Sequence, residues 1–195
     1  MDLIIDVETT GLPNKRQPNF RDLSAYDNAR VVSFAWIVLD HNSRIETSYH
    51  IIKPNGFTIP SDSIKIHGIT NEFAKQVGIP MKECIRHLKK VFEKYPIKTL
   101  VSHNISFDFG VLLSEFYRHY SNDMVSKFFK AERYCTMKFG KEYLKVKKFP
   151  KLTELYKELT KKDLIGAHNA AADTEACCCC YKILRQKQRR TSVSL

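Results

Sequence analysis

The segment Leu3-Ile4-Ile5-Asp6-Val7-Glu8 sets two carboxylates into an aliphatic run that otherwise reads as a buried strand. Side chains two apart leave the same face of a strand, so Asp6 and Glu8 point together. Burying two carboxylates side by side is costly unless something compensates their charge. A divalent cation is the simplest compensation, because hard cations take oxygen ligands. The alternative at this point is a strand that ends at Val7 and leaves Glu8 in water. The turn signal Thr9-Thr10-Gly11-Leu12-Pro13 bounds the run on its far side.

The rest of the chain supplies a sheet and helices to surround such a strand. Residues 12–30 are polar and punctuated by two prolines, a long loop of the functional or mobile kind. Residues 31–40 and 44–54 read as two strands joined by the polar turn His41-Asn42-Ser43. Met81, Cys84, Ile85, Leu88 and Phe92 recur with a helical period behind Pro80. A further strand spans 99–104, and residues 106–120 form an amphipathic helix. The stretches 132–144 and 151–159 follow, and a last helix runs through 170–186. Strands first and then helices mixed with strands predict an α/β domain with a mixed sheet. One domain is expected over residues 1–184, with 185–195 as a basic, flexible C-terminal tail.

Composition narrows the partners. A hydrophobic content of 43% supports a sizeable core. Thirty-two Lys and Arg against 21 Asp and Glu leave a net charge of +11, which favours polyanions through counterion release and steering. Basic residues concentrate in 138–151 and 185–190, so nucleic acid leads and an anionic membrane surface is the weaker option. No apolar run approaches the roughly 18 residues of a membrane span, and the N-terminus is too acidic for a signal peptide. Cys84 and Cys135 stand alone, while Cys177 to Cys180 are consecutive and point to different sides of a helix. They predict small, mostly buried, reduced side chains and therefore a reducing intracellular compartment, cytoplasm or nucleus.

Two further carboxylates stand in suggestive places. Asp108 falls in the first turn of the helix that follows strand 99–104, where Asn104 or Ser106 can act as the cap. Active sites of open α/β sheets gather at such strand ends, although an acid near a helix N-terminus is also ordinary dipole electrostatics. His168 and Asp173 would diverge by about 140° on one helix. They converge only if His168 lies in the preceding loop and Asn169 caps the helix. Ala170, Ala171 and Ala172 would then let that helix approach the sheet and bring Asp173 to the strand carboxylates. A solvated Asp on an Ala-rich helix is the competing account.

In order and spacing, D-x-E-T-T-G at residue 6, H-N-x-x-F-D at 103 and H-N-A-A-A-D-T at 168 resemble the three motifs of the DnaQ-like (DEDDh) 3′–5′ exonucleases, of the ribonuclease-H-like superfamily. The resemblance covers residues 3–180. Ile66-His67-Gly68-Ile69-Thr70 looks like the family's HGI(T) loop, and residues 152–159 look like its helix before the third motif. It implies a five-stranded mixed sheet with helices on both faces. It also implies two Mg²⁺ or Mn²⁺ ions held by Asp6, Glu8, Asp108 and Asp173, and His168 as general base. By the same carry-over, Thr9, followed by Thr10 and Gly11, touches the terminal nucleotide, while Ile66, His67 and Phe107 frame its base.

The chain departs from the family where Cys135 takes a position that relatives often fill with Asp. The loop at 12–30 is longer than in compact bacterial members. His103 is read as structural. The activity implied is release of nucleoside monophosphates from single-stranded 3′ ends of DNA or RNA. A proofreading role would need a DNA polymerase partner, since no polymerase domain fits in 195 residues. The competing class is a nucleic-acid-binding or polymerase-associated module of the same fold with little activity, which the five filled catalytic positions disfavour.

Overall fold

The computed structural model describes residues 1–193, with side chains described as far as Gln188. In chain order the elements are β1 (Asp2–Thr9), β2 (Val31–Asp40), β3 (Ser43–Ile51), α1 (Ser61–His67), α2 (Asn71–Val77), α3 (Met81–Lys94), β4 (Thr99–Ser102), α4 (Ile105–Arg118), α5 (Asn122–Lys130), β5 (Glu132–Cys135), α6 (Thr136–Leu144), α7 (Leu152–Thr160) and α8 (Ala170–Val193). A single 3₁₀ turn at Leu23–Tyr26 interrupts the long loop after β1. Among the described residues no helix is long and apolar enough to cross a membrane.

The sheet runs β3-β2-β1-β4-β5, antiparallel on the β2 side of β1 and parallel on the β4 side. This is the five-stranded mixed sheet that the resemblance implied. The hairpin turn is tighter than expected: Ser43 already belongs to β3, and His41 takes a left-handed backbone (φ 54°). β1 is the strand that the others organise around. Its odd residues Leu3, Ile5 and Val7 pack with Phe34, Trp36 and Val38 beneath α3, α4 and α5. On the opposite face Ile4 packs with Ile37, Leu39 and Val101 against Cys177, Cys178 and Tyr181 of α8.

The period-two alternation therefore sends Asp6 and Glu8 to the α8 face, in the row of Ile4. β4 pairs only with Asp2–Ile4, so the second half of β1 runs on beyond the end of its parallel neighbour. That overhang is where chemistry can sit. All six cysteines are free, and only Cys179 is not buried. Cys177 and Cys178 face the sheet, and Cys180 packs with Leu155 of α7 and Leu184.

Helices α1, α2 and α5 are not among the elements expected from the sequence; α1 and α2 have only seven residues each, and α5 is amphipathic, burying Met124 and Phe128. The first two cover a small separate cluster formed by Val32, Ile59, Ile69 and Ala74. Helix α8 is longer than the periodicity indicates. The boundary expected at residue 184 falls inside it, and the last two residues of the expected tail lie outside the described residues.

The loop after β1 is tied down by a buried ion pair. Arg30 Nε meets Glu115 Oε1 of α4 at 2.6 Å, and its guanidinium lies 4.6 Å over the Phe57 ring. Burial alone would raise the Glu115 carboxyl. Hydrogen bonds and charge from His119 and Arg30 outweigh it and hold the group below its ordinary value. Removing one partner strands a buried charge, so Glu115→Ala should cost about 3–5 kcal/mol in urea unfolding at neutral pH. A carboxyl held low stabilises above its unfolded pKa and loses that contribution as pH falls through the folded one, so the gap to the parent should close in acid. A cost under about 1 kcal/mol at neutral pH, typical of a solvated pair, would contradict this.

Candidate metal centre

Asp6 and Glu8 come from the overhanging half of β1, and Asp173 comes from the first turn of α8. One carboxylate oxygen from each lies within 4.8 Å of the others. Local geometry brings α8 in. Asn169 Oδ1 accepts from the N–H groups of Ala171 (3.0 Å) and Ala172 (3.3 Å), and its carbonyl accepts from Asp173 N–H at 2.8 Å. Asn169 is thus the cap that the sequence suggested. Ala170 is fully buried, which allows the close approach. His168 precedes the helix in a left-handed conformation (φ 67°), and its backbone N–H donates to Asp173 Oδ2 at 2.9 Å.

Asp108 enters from the other side, in the first turn of α4. Its Oδ1 accepts from Val7 N–H at 3.1 Å, a β1 donor that β4 is too short to pair. Its Oδ2 accepts from Ser102 Oγ at 2.5 Å. With both oxygens engaged, Asp108 is not one of the three converging carboxylates, yet its charge reaches Asp6 and Glu8. The expected side-chain cap of α4 is absent. Asn104 occupies the cap position in a left-handed conformation (φ 71°) without a side-chain bond, and its carbonyl instead takes Phe107 N–H.

The electrostatics are those of an overcrowded acidic pocket. Burial, then Asp108, Asp173 and Glu8, raise Asp6 well above its ordinary value. Burial, then Asp173 and Asp108, lift Glu8 to about 7. Asp108 also rises to about 7, with burial prevailing over the hydrogen bonds from Ser102 and Val7. Burial raises Asp173 too, opposed by the His168 backbone and charge. An all-oxygen, hard donor set under mutual repulsion fits Mg²⁺ or Mn²⁺.

The His168 side chain is exposed. Thr9 Oγ1 donates to the Gly11 carbonyl at 2.7 Å. Thr10 is buried and braces the turn: its N–H and hydroxyl bond the Arg30 backbone, each at 2.9 Å, and its carbonyl accepts from Ser63 Oγ of α1 at 2.6 Å. Gly11 is required there, since a Cβ would stand 2.9 Å from the Asn28 carbonyl. Ile66 and His67 end helix α1 instead of lying in a loop, with Gly68 as its left-handed C-cap. Ile66 is 58% exposed; His67 is buried, and its Nδ1 accepts from Ile69 N–H at 3.1 Å. Phe107 is half-buried and lines a cleft of about 480 Å³ against the Leu12–Pro18 loop.

His103 is half-buried with both ring nitrogens bonded, to Thr136 Oγ1 and the Pro150 carbonyl, each at 3.0 Å, and desolvation lowers it to about 4. Sequence reasoning missed Ser102 and Arg30. A serine ending a buried strand was a visible signal for the first; the pairing of Arg30 with a residue 85 positions away had none.

The family model described as Exonuclease (RNase_T) matches residues 3–181. The DNA polymerase III subunit epsilon of Buchnera aphidicola subsp. Schizaphis graminum (strain Sg) is 34% identical over 117 residues, 58% of this chain and 44% of that protein. Its counterpart from subsp. Acyrthosiphon pisum (strain APS) is 28% identical over 152 residues, 75% of this chain and 56% of that protein. The matched region is thus about half the length of these curated relatives. Among solved structures, E. coli exonuclease I in complex with a dT13 oligonucleotide superposes with a TM-score of 0.74 at 20% identity, over 99% of this chain and 42% of that one. Exonuclease X in complex with 5′ overhanging duplex DNA gives 0.64 at 21% identity, over 96% and 92%. At these identities the superpositions establish the fold.

Carboxyls raised in the folded state bind more protons than in the unfolded chain, so the metal-free protein should lose stability as pH rises from the ordinary carboxylate range to about 7 and beyond. Asp6→Asn should relieve part of this cost. In chelator at neutral pH, its melting temperature should exceed the parent's by about 2–4 °C for each kcal/mol relieved. A variant melting at or below the parent would show that the carboxylates are not in conflict.

Proposed function

We propose that this chain, which belongs to the exonuclease (RNase_T) family, is a 3′–5′ exonuclease that hydrolyses the terminal phosphodiester of DNA or RNA and releases nucleoside monophosphates. The observation that carries the reading is the convergence of Asp6, Glu8 and Asp173, braced by Asp108, at the overhanging end of β1. Asp6, Glu8, Asp108 and Asp173 would hold two Mg²⁺ or Mn²⁺ ions, which when bound neutralise the pocket and polarise the phosphodiester.

His168 takes the proton from the attacking water onto its imidazole, the role of a positioned general base. Its backbone tie to Asp173 fixes the loop that carries it. Thr9, Thr10, Ile66, His67 and Phe107 surround the terminal nucleotide, with exposed Ile66 and half-buried Phe107 offering apolar surface to its base. The epsilon-subunit relatives make a DNA polymerase the partner class to test. Six free cysteines suit a reducing compartment.

Asp173→Ala and Asp6→Ala should each abolish digestion of 3′-labelled and 5′-labelled oligomers while leaving a folded protein, as judged by circular dichroism. EDTA should stop the parent, and Mn²⁺ or Mg²⁺ should restore it; full turnover in chelator would refute the mechanism. His168→Ala should slow single-turnover cleavage by about 10²–10⁴-fold. An unchanged rate would make His168 a bystander.

A further inference from the structure

The segment joining α6 to α7 differs from the rest of the basic surface. Lys145, Lys147 and Lys148 are exposed, and among the described residues none has a carboxylate within ion-pairing distance. In the neighbouring α7 region, by contrast, Lys157 pairs with Asp163 and Lys161 with Glu158. Phe149 follows Lys148 directly and is 46% exposed, with Lys141 Nζ 4.5 Å from its ring centre. A basic loop kept only for solubility has no use for a half-exposed aromatic ring. Aromatic faces beside unpaired lysines are what a single strand takes, bases on the ring and phosphates on the ammonium groups.

The loop is also registered against the metal centre. Pro150 is its buried residue, and the Pro150 carbonyl accepts from His103 Nε2 at 3.0 Å. A carbonyl can only accept, so Nε2 carries the proton and Nδ1 accepts from Thr136 Oγ1. His103 follows Ser102, whose hydroxyl holds Asp108. Phe149 is therefore fixed one residue from a peptide tied to the strand end that positions a site carboxylate.

We propose that Phe149 and the lysines beside it form a platform for a single nucleic-acid strand, on the 5′ side of the nucleotide being removed. The proposal rests on the nuclease reading for its direction, and on the geometry of the loop for its existence. Binding separates the two. In EDTA, the protein is titrated with a fluorescent dithymidylate, an oligothymidylate of about twelve residues, the matching oligouridylate and a blunt duplex.

Phe149→Ala should weaken the long single strands about 5- to 100-fold, with much less effect on the dinucleotide, and Phe149→Tyr should restore them. Lys147→Ala with Lys148→Ala should lower the slope of log Kd against log salt by about 0.7 for each phosphate left without its ammonium partner. Phe149→Ala binding the long strands like the parent, or weakening the dinucleotide equally, would overturn the platform. So would a duplex bound as tightly as the strand and equally weakened. Failure of the parent to digest the long oligomer with Mn²⁺ would remove the nuclease reading instead, and the titration would still judge the platform.

Discussion

Mutual repulsion among Asp6, Glu8, Asp108 and Asp173 is the constraint on which the rest of the arrangement depends. Left alone, four acids in a partly buried pocket would take up protons or push their elements apart. The fold prevents the second outcome with short, inflexible ties. Val7 N–H and Ser102 Oγ occupy both oxygens of Asp108, and His168 N–H holds Asp173. Two of these donors are backbone groups, which no side-chain motion can withdraw. The large hydrophobic core beneath β1, with Phe34, Trp36, Phe116 and Phe128 among its members, supplies the rigidity that such ties need.

The short β4 is the topological device behind this. Had β4 paired with all of β1, Val7 N–H would sit in a ladder, and Asp108 would lack its donor. Ending β4 at Ser102 frees that N–H, starts α4 at the level of the carboxylates, and leaves His103 to pin a second loop nearby. The antiparallel neighbour β2 pairs from Asp2 to Thr9, its register shifting only between Glu8 and Thr9, with Ala35 opposite Asp6 and Ser33 opposite Glu8. Small residues there leave room on the α8 face.

Much of this was readable from local patterns. The alternation in residues 3–8 placed both carboxylates on one face, and the hairpin and α3 followed from periods of two and 3.6. The Asn169 cap was legible because Asn-Ala-Ala-Ala admits few other starts for a helix. What escaped has physical causes. Helices α1 and α2 have seven residues each, too short to show a period, and draw their order from packing on Val32 and Ile59. Asn104 fits the cap position by composition, but its left-handed backbone turns the side chain from that role. Ion pair Arg30–Glu115 and the tie from Ser102 to Asp108 depend on where the chain returns in space, which spacing alone does not encode.

The central claim is that this repulsion exists to hold divalent cations. Calorimetric titration of the full chain with Mn²⁺ at neutral pH addresses it directly. The account predicts two ions per chain, with proton release as the raised carboxyls ionise, and loss of that signal in Asp6→Asn. Binding of the same stoichiometry in parent and variant, or no binding in either, would contradict it.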